Sequence, residues 1–106
     1  MPTTVKEAVV QGTASTGTYA TLHSTGAGVT AICQVMIANE AASEVTVRLG
    51  LADSAGTPTR WRLYDVKIAP NDTMSVGPIN MNASRFMRIS SSANTCTFSA
   101  DIVEQS

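Results

Sequence analysis

Residues 29–51 read V-T-A-I-C-Q-V-M-I-A-N-E-A-A-S-E-V-T-V-R-L-G-L, and their reading decides the fold class. Val29, Ala31, Cys33, Val35 and Ile37 share one parity, and Val45, Val47, Leu49 and Leu51 share another. Successive side chains of an extended chain point to opposite faces, so each run offers one apolar face to a core. The joint, Asn39-Glu40-Ala41-Ala42-Ser43, is short and mostly polar, which predicts a hairpin between the two runs.

Outward from this pair the same signals recur. Residues 5–11 alternate weakly and suit an edge strand or N-terminal arm within 1–11. Residues 12–17 are rich in Gly, Ser and Thr and break the chain, and a short strand follows at 18–23. Downstream, 52–58 reads as a surface loop and 59–68 as one or two strands. Pro70-Asn71-Asp72 makes a turn, 73–76 a short strand, and Gly77-Pro78 its end. Residues 85–91 and 95–103 predict a closing hairpin, with Cys96, Phe98, Ala100 and Ile102 on one face. Turn signals fall about every 8 to 12 residues, and no helical spacing survives among the strand formers. The expected fold is all-β: one antiparallel β-sandwich over 1–106, jelly-roll or immunoglobulin-like, with eight or nine short strands.

A chain of 106 residues buries roughly 65% of its unfolded surface, enough for one two-layer core. Charged residues make up 14%, against a usual share of about 25%. Such a surface of hydroxyls and small side chains leans toward assembly. The net charge of −1 gives no pull toward nucleic acid or anionic lipid. Arg60 and Arg62 flank Trp61, a pattern that can bind a single strand. Plain alternation instead turns Trp61 and Leu63 inward and leaves the arginines in solvent, so no nucleic-acid partner is expected. No run of about 18 apolar residues would cross a membrane, and the first residues lack signal-peptide features. Synthesis in a cytoplasm is therefore expected.

Catalytic chemistry has few candidates. His23 is the sole histidine, and Cys33 and Cys96 sit on apolar parities, where free buried thiols are expected over a disulfide. One histidine and two buried cysteines do not make a zinc site, and a buried thiol is a poor nucleophile. The eight carboxylates are scattered through turns and strand ends, and Gly26-Ala27-Gly28 precedes a strand where a phosphate loop needs a helix. The sequence predicts no catalytic residues, no cofactor, no metal and no enzyme activity. The second face of the long strand carries Ile32, Met36 and Ala38, too apolar for simple exposure, so another layer or another subunit is expected over it. Val5, Val9, Ile32, Met36 and Tyr64 are the candidate interface residues.

The order of pieces resembles a family of small bacteriophage virion proteins, which serve as head decoration proteins or as tail and fibre parts. The resemblance spans roughly 17–104 and rests on a turn layout: Tyr19-Ala20-Thr21-Leu22-His23, Gly26-Ala27-Gly28, and the long strand ending at Asn39. It continues through Ala41-Ala42-Ser43-Glu44-Val45-Thr46-Val47, Ala69-Pro70-Asn71-Asp72-Thr73 and Phe86-Met87-Arg88-Ile89-Ser90-Ser91-Ser92. This chain departs from the pattern in its Leu-His pair, where Leu-Tyr is usual, and in Asn71, where Gly is common. Asn tolerates positive φ, so the turn is expected to survive. The resemblance implies a virion structural protein made in the host cytoplasm. It implies a capsid decoration or cement protein, a homo-oligomer (trimer favoured) bound to the major capsid protein or other virion proteins. The alternative it leaves is a tail, baseplate or fibre component touching a partner or a host-surface glycan. A lectin or carbohydrate-active enzyme shares such a sandwich, but fold does not carry function.

Overall fold

The alternating segments become eight strands in a computed structural model that describes residues 3–11, 19–54, 58–93 and 96–106. They are β1 (Thr3–Gln11), β2 (Ala20–Ser24), β3 (Thr30–Asn39), β4 (Val45–Ala52), β5 (Arg60–Ile68), β6 (Thr73–Met81), β7 (Phe86–Ser91) and β8 (Cys96–Gln105). Two four-stranded sheets result, ordered β1-β8-β3-β6 and β2-β7-β4-β5, antiparallel throughout. The topology is that of a hairpin four strands deep: β1 lies on β8, β2 on β7, β3 on β6, β4 on β5. Rolling that hairpin up adds the β3–β8 and β4–β7 pairings and divides it between the sheets. This is the jelly roll, and it settles the choice between the two expected sandwiches.

The core is built by the predicted parities. Cys33, Val35 and Ile37 of β3 face Val45, Val47 and Leu49 of β4 across the layers, and Phe98, Ala100 and Ile102 of β8 join them, each at most 1% exposed. Fully burying one such large aliphatic or aromatic side chain is worth roughly 1.5–3 kcal/mol. Cys33 and Cys96 are free and buried, and burial pushes the Cys33 thiol up to about 11.

The structure corrects three strand-level expectations. Residues 29–38 and 44–51 form no hairpin, because β3 and β4 lie in opposite sheets, and the same holds for β7 and β8. A turn signal specifies a reversal of direction, not a return to the same sheet. Third, β6 does not stop at Gly77-Pro78 but runs through it, with a cis peptide bond there and Gly77 at φ 138°. Since β6 is a sheet edge, the missing proline N–H breaks no ladder bond on the open side. The expected break at 12–17 lies outside the described residues, as does part of the 52–58 loop. The first segment is an edge strand: from Thr3 to Gln11 it pairs with β8.

Two buried polar residues hold the crossings. Asn39, 2% exposed, donates through Nδ2 to the carbonyls of Ser43, Ile68 and Ala69 and accepts from the Ala41 amide. It thereby ties the β3–β4 crossing to the β5–β6 crossing. Asn71 takes the positive φ its turn requires, at 55°. At the other end Thr25, 5% exposed, donates to the Asn82 carbonyl at 2.6 Å and accepts from the Arg85 amide.

Candidate functional site

With the inner faces committed to the core, chemistry is left to the two outer faces and the open edge between them. On the β1-β8-β3-β6 sheet the register sets side chains in rows. Val5, Val103 and Ile32 stand side by side in one row, and Val9, Ser99 and Met36 in another. Between them lies a row of Glu7, Asp101 and Gln34. Val5 is 77% exposed, Val9 59%, Ile32 53%, Met36 42% and Val103 41%. Five large aliphatic side chains thus stand exposed on this face, in two rows divided by a polar one.

The central row adds charge. Glu7 and Asp101 are exposed cross-strand partners, and like charges directly opposite destabilise a sheet. Neither makes an ion pair among the described residues. At one end of the face, Thr30, Ile32, Asn80, Asn82, Val103 and Gln105 line a depression of about 340 Å³.

The opposite outer face is aromatic and cationic. Arg48 projects from β4 between buried Val47 and Leu49, so it stands on the solvent side. Its guanidinium holds Asp65 through two bonds (Nε to Oδ1 2.6 Å, Nη2 to Oδ2 3.1 Å) and donates to the Tyr19 hydroxyl at 3.2 Å. These bonds hold the Asp65 carboxyl below the usual carboxylate range and raise Arg48 further. The same guanidinium sits 4.2 Å from the Tyr64 ring and 6.0 Å from Trp61, with Trp61 edge-on to Tyr64 at 4.8 Å. Tyr19 closes the group at 5.9 Å from Trp61.

Trp61 is therefore on the outer face, against the expectation that alternation turns it inward. The cause is a bulge. Leu63 pairs with Leu49 while Trp61 pairs with the adjacent Gly50, so the register skips Arg62 and the faces invert. Gly50 makes the seat: a Cβ there would lie 3.1 Å from Trp61 Cε3 and 2.6 Å from Pro58 Cβ.

At the open edge, His23 Nε2 and Lys6 Nζ approach the two oxygens of Glu104 at 2.8 and 2.7 Å. The Lys6 bond, helped by His23 and opposed by partial burial, holds the Glu104 carboxyl below its ordinary value. This trio ties β1, β2 and β8 across the edge. Cys33 is buried mid-strand and is hydrogen-bonded weakly to the Met81 sulfur at 3.8 Å. Among the described residues no three His, Cys, Asp or Glu side chains are grouped to hold a metal ion.

Of the expected interface residues, Val5, Val9, Ile32 and Met36 come together on one face, and Tyr64 stands on the other. Sequence reasoning missed Val103, although it has the opposite parity to Phe98 and Ile102. It also missed Arg48 and Tyr19; an arginine alternating with core positions of β4 was the available signal. No protein-family profile, curated protein or solved structure matches the chain.

Proposed function

We propose that this chain is a non-enzymatic structural protein of a bacteriophage virion, a capsid decoration protein that binds the outer shell as a homo-oligomer. The observation that carries the reading is the outer face of the β1-β8-β3-β6 sheet, where five large aliphatic side chains stand exposed as at surfaces that meet a protein neighbour. The resemblance in turn layout supplies the virion. A decoration protein needs only surface complementary to its neighbours, and repetition over a lattice turns modest contacts into a stable shell. The open edge of β1 offers a further contact, by strand addition.

The aromatic group around Arg48 favours a second reading, a tail or fibre component in which Tyr64 and Trp61 meet a glycan or partner. Quantitative mass spectrometry of purified virions, against the major capsid protein, separates the two. Hundreds of copies per particle support decoration. A handful, in multiples of three or six, supports the tail. Absence from particles overturns both.

A further inference from the structure

The charges of this molecule are divided by sheet. Arg48, Arg60, Arg62, Lys67 and Arg88 lie on strands of the β2-β7-β4-β5 sheet, and Arg85 directly precedes β7. The other sheet has one cation, Lys6, which is engaged with Glu104. Its outer face instead presents the Glu7–Asp101 pair among aliphatic side chains. The remaining outer face presents Tyr64, 54% exposed, with Arg48, Arg88 and Lys67 on the same side of the sheet; Asp65 pairs with Arg48 and Glu44 lies 3.9 Å from Lys67, so cations exceed these carboxylates by one. One face is acidic and aliphatic, and the other is aromatic with an excess of cations over carboxylates.

We propose that these faces are the two halves of one contact, so that copies of the chain join heterologously, the acidic aliphatic face of one against the basic aromatic face of the next. The inference rests on the oligomer in the reading above and specifies its geometry. An isologous contact through the aliphatic face would set two Glu7–Asp101 pairs against each other, and like-charge juxtaposition is strongly unfavourable. The heterologous contact sets them against the face with the cation excess and gives the exposed Tyr64 ring an aliphatic surface to cover. The depression between Ile32, Asn80 and Val103 offers room on that surface for the ring. A heterologous contact closes into a ring when its rotation permits and otherwise grows as a filament.

The test uses two variants of the full chain, each altered only at exposed positions. Glu7→Lys/Asp101→Lys blocks the acidic face, and Tyr64→Glu/Lys67→Glu blocks the basic one. Circular dichroism and thermal melting confirm that both remain folded. Sedimentation velocity is then run on the parent, on each variant and on their equimolar mixture. The expected result is an oligomer for the parent, a monomer for each variant, and a one-to-one dimer for the mixture, since one good face of each survives. If the basic-face variant still dimerises alone, the contact is isologous through the aliphatic face; the proposal falls and the oligomer stands. A parent that stays monomeric at high concentration overturns the proposal and the oligomer together, while the copy-number measurement still tests the virion separately.

Discussion

Two residues show how a side chain can matter without a catalytic task. Glu104 receives Lys6 and His23 on its two oxygens while its side chain is only 12% exposed. Its folded pKa is depressed from an ordinary 4.5, so the carboxylate contributes stability above that value, and the contribution is lost as pH falls through the lower folded pKa. Glu104→Gln should therefore cost roughly 1–2 kcal/mol at neutral pH, since hydrogen bonds to charged groups are lost. Its deficit should shrink below pH 4.5, the ordinary value, as the parent loses the same interaction. Urea denaturation across pH measures both. Gly50 is the converse case, where an absent Cβ is the requirement. Adding one would place it 2.6 Å from the Cβ of buried Pro58 and 3.1 Å from Trp61. Gly50→Ala should destabilise by about 1–3 kcal/mol through overpacking. It should also shift Trp61 emission to the red as the indole is lifted off its strand, read in the same titration.

At the scale of elements, the crossings between sheets carry the specificity of this fold. Asn39 is the common fastener of two of them, and its four side-chain hydrogen bonds reach both the β3–β4 and the β5–β6 connections. Asn39→Ala removes all four bonds, of which the one to the Ile68 carbonyl is wholly buried, and should cost about 2–3 kcal/mol. Asn39→Asp keeps the shape but turns an oxygen toward three carbonyls, so it should be at least as damaging; comparison of denaturation midpoints decides. The strands themselves were legible because the pleat is local. Parity alone placed Cys33, Val35, Leu49 and Phe98 inside and Ile32 and Met36 outside. Their partners were not legible. A backbone ladder reads no side chains, so the turn after Asn39 looked like a hairpin although it is a crossing. The bulge at Arg62 was equally silent, and one skipped residue moved Trp61 from the expected core to the outer face beside Tyr64.

For the whole molecule, the rolled-up hairpin determines how it must fold. Of the six strand pairings among the described residues only β4–β5 joins neighbours in sequence, while β1–β8 and β3–β8 close most of the chain. Loop-closure entropy opposes such contacts before they repay it, so folding should take milliseconds to seconds. The hairpin tip is the one pairing available cheaply, and it is where the transition state should be organised. Ile68 on β5 and Ile102 on β8 are equally buried, at 2% and 0% exposure, so Ile→Val costs a similar amount at each, about 0.5–1.5 kcal/mol. The kinetic signatures should differ. Ile68→Val should slow folding, because its contacts with Val45 form early, whereas Ile102→Val should chiefly speed unfolding. Stopped-flow fluorescence of Trp61 reads both limbs. If Ile102→Val slows folding as much as Ile68→Val does, the two sheets close together and the tip has no priority.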